Sequence, residues 1–140
     1  MKRSAMTVPS ATPPSDTHNR PGVGTSRREA LSRDGCLRRL RTGTVARVAV
    51  TVKALPRIEL VRYYLIGEAL FIDLGSAALA RRLNGHVVAF ENGTSESDPP
   101  GDIWSVCAVG VVTSTAETPS EASIVEMHPQ FLIGWVEHRS

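Results

Sequence analysis

Few side chains in this 140-residue chain are placed to do chemistry unaided. His86 and His128 open or close strand-like runs, without HxxxH spacing and without a cysteine nearby, which gives no metal site. Cys36 and Cys107 are the only cysteines, too few for a disulfide framework or a metal centre of their own. Cys107 lies in an apolar run and reads as an inert core thiol. Ser105 has no nucleophile-elbow motif around it and reads as strand packing. Glu91 ends a strand and has no evident partner for general-base work. What remains is polar and cationic. Arg62 lies on a strand beside aromatic neighbours and either contacts a phosphate or a ring, or is an exposed arginine paired with Glu59 or another acid. Ser76 stands at a helix start, where its hydroxyl and the free backbone donors suit an anion. Arg81 and Arg82 follow on the same helix.

The elements that must position these groups are short. Hydrophobic residues make up 41% of the chain and charged residues 21%, an ordinary globular composition that excludes a fully disordered chain and a coiled coil. No run approaches the roughly 18 apolar residues of a spanning helix, so no membrane role is expected. The basic N-terminus lacks an apolar segment after Lys2 and Arg3, and charged residues follow Arg27-Arg28; the expected compartment is the cytoplasm. Residues 1–41 carry nine Lys/Arg against three Asp/Glu, and residues 42–140 carry seven against eleven. A basic arm of this kind is more simply a solvated tail and helix than a nucleic-acid contact, because it lacks interleaved aromatics and its candidate helix is short.

Residues 1–25 are rich in Pro, Ser and Thr and almost free of large apolar side chains, so ordering them would not be offset by burial. They read as a disordered tail before one domain over 26–140. Ser26 to Glu29 has the form of a capping box, and Ser32 begins a helix whose Cys36, Leu37 and Leu40 share a face. Gly43 suits its end. From Thr44 the period becomes two: Val48, Val50 and Val52 alternate with Arg47, Ala49 and Thr51. Pro56 breaks that run. Ile58–Ile66 is the next strand, with Tyr63 and Tyr64 on opposite faces, and Gly67-Glu68 turns it into Ala69–Ile72 as a hairpin. Ser76 caps a helix that ends at Asn84-Gly85, with Leu79 and Leu83 inward. Strands follow at 86–91, 103–113, 123–127 and 131–137, with a polar loop over 92–101. Gly110 marks an expected bulge. Six or seven strands without βαβ alternation predict a mainly β fold: a small antiparallel split β-barrel with one or two short helices.

The order of motifs resembles the pyridoxamine 5′-phosphate oxidase-like proteins, the FMN-binding split-barrel family. Arg33 to Leu40 followed by Gly43 to Val50 is similar to the family's opening helix and first strand. Leu55-Pro-Arg-Ile-Glu-Leu-Val-Arg-Tyr-Tyr64 is similar to its second strand. Gly75-Ser76 precedes a helix, and Val87 to Glu91 follows. Trp104-Ser105-Val106 with Val109-Gly110-Val111 resembles the strand that often reads Gly-Trp-Ser-Val. Met127-His-Pro129 and Ile133-Gly-Trp135 fit its closing strand. The resemblance covers roughly residues 30–136.

That resemblance implies a flavin mononucleotide at a homodimer interface, acting on a small-molecule substrate as an oxidoreductase. The lack of an obvious catalytic acid or base suits such chemistry, because the cofactor carries the reaction. The cofactor-binding positions it implies are Arg62, Tyr64, Ser76, Ala77, Arg81, Arg82 and Trp104. Three departures bear on the phosphate. Ala77 stands where the family commonly has a phosphate-binding lysine. Asp73-Leu74 stands where a threonine is common, and Asp73 would repel a phosphate. Arg62 replaces an asparagine. Either Arg62, Arg81 or Arg82 supplies the missing charge, or the pocket has turned to a deazaflavin, or it is a degenerate dimer that holds no flavin.

Overall fold

The computed structural model describes residues 27–94, 101–115, 118 and 121–138. The expected disordered tail over 1–25 lies outside the described residues. In chain order the elements are β1 (Arg28–Ala30), α1 (Arg33–Arg41), β2 (Val45–Val52), β3 (Leu55–Ile66), β4 (Ala69–Asp73), α2 (Ala77–Leu83), β5 (Val87–Gly93), β6 (Ile103–Ser114), β7 (Ile124–Met127) and β8 (Phe131–Glu137).

Strand pairing closes a ring. β2 pairs with β3 and β5, β3 with β4, β4 with β7, and β6 with both β5 and β7, all antiparallel. Six strands thus form a closed barrel, which removes the edges that such apolar strands would expose. β6 also pairs with β8 along residues 103–109, and β8 pairs with β1, extending the sheet beyond the ring. The barrel interior is built by the inward set of each alternating strand. Val48 and Val50 of β2, Val61 and Tyr63 of β3, Val88 and Phe90 of β5, and Val106, Ala108 and Val112 of β6 are buried together. The predicted mainly β split-barrel architecture with two short helices is what the chain adopts.

Both helices form where their caps predict. The Ser32 hydroxyl accepts from the Gly35 N–H at 3.0 Å, and the Ser76 hydroxyl accepts from the Leu79 N–H at 3.1 Å, each satisfying an N-terminal donor. Cys36, Leu37 and Leu40 of α1 and Leu79, Ala80 and Leu83 of α2 face the core. Tyr63 ties α1 to the barrel. Its hydroxyl donates to the Leu40 carbonyl at 2.6 Å and accepts from Asn92 Nδ2 at 2.7 Å. Gly43 is a glycine because a Cβ there would overlap the Tyr63 hydroxyl and the Asn92 amide. Close approach sets that residue, and no positive φ is involved.

Several local expectations are corrected. Arg28 and Glu29 lie in β1, paired with β8, so the capping-box pattern starts no helix. Pro56 is the second residue of β3, opposite Thr51; the chain turns instead at Lys53 and Ala54, both with positive φ (52° and 65°). Gly110 interrupts nothing, since β5–β6 pairing runs through it. A Cβ on Gly110 would instead lie 2.8 Å from the His128 carbonyl oxygen. Cys107 is not in the core. Strand alternation turns it outward between Glu91 and Ile133, where it is half-buried.

Candidate functional site

Two clefts meet where β4 runs into α2. The first, of about 320 Å³, is lined by Val45, Leu60, Val61, Arg62, Asp73, Leu74 and Gly75. Its form follows from strand register: Arg62 lies opposite Val45 on one side and Asp73 on the other. Val45 and Leu60 are exposed and give it an apolar wall. The second cleft, of about 590 Å³, is lined by Lys53, Arg57, Ser76, Ala78 and Arg82 over an apolar floor that includes Val52, Leu55 and Leu79. Gly75 lines one and Ser76 the other, so the clefts adjoin across the 73–76 turn as two segments of a groove, with no lining residue in common.

The groove is polarised. Arg57 is held by Glu59, with Nη2–Oε2 at 2.6 Å. Glu59 is therefore spoken for, and it does not pair with Arg62. Among the described residues the side chains of Lys53, Arg62 and Arg82 make no hydrogen bond or ion pair. No acid lines the second cleft. Asp73 stands in the first, but its Oδ1 accepts from the Gly75 N–H at 2.9 Å and from the Ser123 hydroxyl at 2.7 Å. These bonds fix the turn that leads into α2, and they withdraw the Gly75 donor from any ligand. The Ser76 hydroxyl accepts from Leu79 as the cap and retains its own proton to donate.

The structure brings some of the sequence-derived positions together and separates others. Arg62, Ser76 and Arg82 line the groove. Ala77 is the first residue of α2, half-buried beside it. Tyr64 lies two residues beyond Arg62 on the same outward face and stacks on Phe71, centroids 5.2 Å apart. Arg81 is exposed on α2 and lines neither cleft. Trp104 stands apart: it lines a third cleft under α1, with the Arg39 guanidinium 5.4 Å from its ring centroid. Lys53 and Arg57 were missed by the sequence reading. The signal for them was a hairpin between Val52 and Leu55, which sets Lys53 beside the start of β3.

No group of three or more His, Cys, Asp or Glu is arranged to hold a metal among the described residues. Burial and then the charge of Glu91 push the Cys107 thiol up, which disfavours its thiolate. Among the described residues no helix is long and apolar enough to cross a membrane.

The model of the pyridoxamine 5′-phosphate oxidase family matches residues 32–139. The chain belongs to that family. No curated protein matches its sequence. Among solved structures, the FAD-binding protein of Mycobacterium smegmatis aligns with TM-score 0.64 at 19% identity, covering 79% of this chain and 98% of that one. An FAD-binding protein of Mesorhizobium loti aligns with TM-score 0.64 at 14% identity, over 81% and 99% of the two chains. A conserved protein of unknown function from Corynebacterium diphtheriae aligns with TM-score 0.60 at 19% identity, over 79% and 98%. At such identities the likeness is one of fold. Two of these structural neighbours of the chain are FAD-binding proteins.

Proposed function

We propose that the groove holds a flavin and that the loaded protein is an oxidoreductase for a small organic substrate. The observation that carries this reading is the groove's polarity. Lys53, Arg82 and the Ser76 hydroxyl converge on one end, and Val45 and Leu60 wall the other. A flavin nucleotide has the matching form, with a phosphate at one end and a flat apolar ring at the other. Lys53 and Arg82 would supply the charge that Ala77 lacks, and Arg62 would face the ring or the chain that joins ring and phosphate. When bound, the flavin would supply hydride or electron transfer. The residues of this chain bind, orient and exclude water.

A homodimer belongs to the same reading. Ile58, Ala49, Ala89, Val109 and Phe131 form one cross-strand row on the outside of the sheet, and Leu60, Arg47, Glu91, Cys107 and Ile133 form the next. Ile58, Leu60, Phe131 and Ile133 are 75%, 69%, 63% and 65% exposed. The first row is apolar throughout, and the second is apolar at its ends around Arg47 and Glu91; exposed apolar surface of this kind marks an association surface. Leu60 lies both on this face and in the groove wall, so a second copy seated there would adjoin the ring end. The experiment is titration of FMN, FAD and a deazaflavin side by side, followed by fluorescence, with light scattering for the dimer. Saturable binding weakened about tenfold by Lys53→Gln or Arg82→Gln is expected, the loss of one charge-assisted contact. Absence of binding by all three cofactors refutes the proposal.

One observation favours a second reading. The Gly75 N–H is consumed by Asp73, and Ala77 and Ala78 offer no side-chain donor. A groove so altered fits a flavin-less dimer that sequesters a different anion. The same titration separates the two readings.

A further inference from the structure

The third cleft carries a separate site. It is about 290 Å³ in volume and is lined by Leu31, Gly35, Arg38, Arg39, Thr42 and Trp104. Trp104 belongs to the inward set of β6, two residues before buried Val106. It therefore lies on the opposite side of the sheet from the outward row that holds Leu60 and Ile133.

Its composition is specific. None of the six lining residues is acidic. Among the described residues neither Arg38 nor Arg39 forms an ion pair; Asp34, one turn before Arg38 on α1, is not paired with it and does not line the cleft, and two other acids are taken. Glu68 holds Arg33 at 2.7 Å, and Asp102 holds His138 at 3.1 Å. Arg39 lies over the Trp104 ring, a cation–π contact. The indole N–H has no hydrogen-bond partner among the described residues. The Thr42 hydroxyl donates to the Arg39 carbonyl at 2.8 Å, so its oxygen is left to accept. Basic side chains in a last helical turn complement the helix dipole, and Arg38, Arg39 and Arg41 all stand in that turn of α1. Arg39 is also directed at an aromatic face, with Arg38 on the same cleft.

We propose that this cleft is a second ligand site, for a planar aromatic anion: a ring that lies against Trp104 and carries a phosphate or carboxylate held by Arg38 and Arg39. Two guanidinium groups suit a bidentate anion. An indole beside a guanidinium suits a flat ring, and its free N–H supplies a donor for that ring's edge. A cleft of this volume stands at the lower limit of small-molecule pockets, which favours a mononucleotide-sized ligand over a dinucleotide. The inference does not rest on the flavin reading, since the two sites share no lining residue.

The test uses Trp135→Phe protein, in which Trp104 is the only tryptophan. The probe is adenosine 5′-monophosphate, with adenosine and inorganic phosphate as separate arms, read by Trp104 fluorescence. The expected result is saturable quenching by the nucleotide, with each half of it binding roughly tenfold more weakly, because stacking and charge both contribute. Arg38→Gln and Arg39→Gln should each weaken the nucleotide about tenfold, with unchanged thermal melting. Arg82→Gln should leave it unaltered. Quenching that does not saturate, or that survives both arginine substitutions, overturns the proposal. So does nucleotide binding weakened by Arg82→Gln, which would place the nucleotide in the groove. Failure of every flavin to bind would leave this result standing.

Discussion

Replacing Tyr63 by Phe removes one oxygen and leaves the ring in place. The ring is 4% exposed and packs edge-on against Phe90, centroids 4.9 Å apart; with the ring kept, no cavity opens. What is lost is two hydrogen bonds, to the Leu40 carbonyl and from the Asn92 amide. At about 1 kcal/mol each, the direct loss is about 2 kcal/mol. The stranded partners add little. Leu40 retains the Gly43 N–H at 3.3 Å, and the half-buried Asn92 amide is able to turn to water. The estimate therefore stays near 2 kcal/mol and well short of the 3–5 kcal/mol of an aromatic truncation to alanine. For a domain of this size that is a fall in Tm of roughly 8 °C. Urea unfolding followed by circular dichroism reads it directly, with an unchanged m-value. A loss below about 0.5 kcal/mol would show that the phenol is not the tie between α1 and the barrel.

Ala54→Gly should stabilise by about 0.5–1 kcal/mol, as relief from the left-handed backbone outweighs the greater freedom of unfolded glycine; an unchanged or lower urea midpoint would contradict the turn geometry. Gly134→Ala should destabilise by about 1–3 kcal/mol, because its Cβ would sit 2.7 Å from the Cys36 sulfur and 3.1 Å from Val106; a neutral effect on the melting temperature counts against that packing. His138 bridges Glu29 at 3.2 Å and Asp102 at 3.1 Å, and hydrogen bonds first to Glu29 and then to Asp102 hold its pKa above the ordinary histidine value. The raised folded pKa means its contribution is complete below the unfolded pKa of about 6.5 and is lost as pH climbs through the folded value. Hydrogen exchange in β1 should accordingly slow from pH 8 to pH 5.5 once intrinsic rates are divided out, and His138→Gln should abolish the change.

The strands were legible because a wall with one buried face imposes a period of two on β2, β3 and β6. The helix caps at Ser32 and Ser76 were legible because a hydroxyl at that position satisfies a specific donor. β1 was not, since Arg28, Glu29 and Ala30 are all exposed and only their pairing with β8 makes them a strand. The β2–β3 turn was hidden because Lys53 and Ala54 adopt positive φ without the glycine or asparagine that usually announces it. Cys107 was misassigned for a related reason. Where the outer face is also apolar, alternation no longer says which side is the core. The groove suffered most. Arg62, Ser76 and Arg82 were read from a strand and a helix start and line the clefts, whereas Lys53 and Arg57 line them only through the β2–β3 turn, and Trp104 lines a different cleft.

β7 supplies both sides of the last seam, to β4 and to β6. Until residue 127 is in place, the earlier strands form an open ribbon with two raw margins. The facing margins of β4 and β6 therefore stay unpaired until β7 is added between them. The short connection from Met127 to Phe131 then both completes the ring and starts β8, crossing β6 at Gly110, where only hydrogen fits beneath the His128 carbonyl. A side chain at position 110 would therefore press on the backbone at the crossing where the ring is completed.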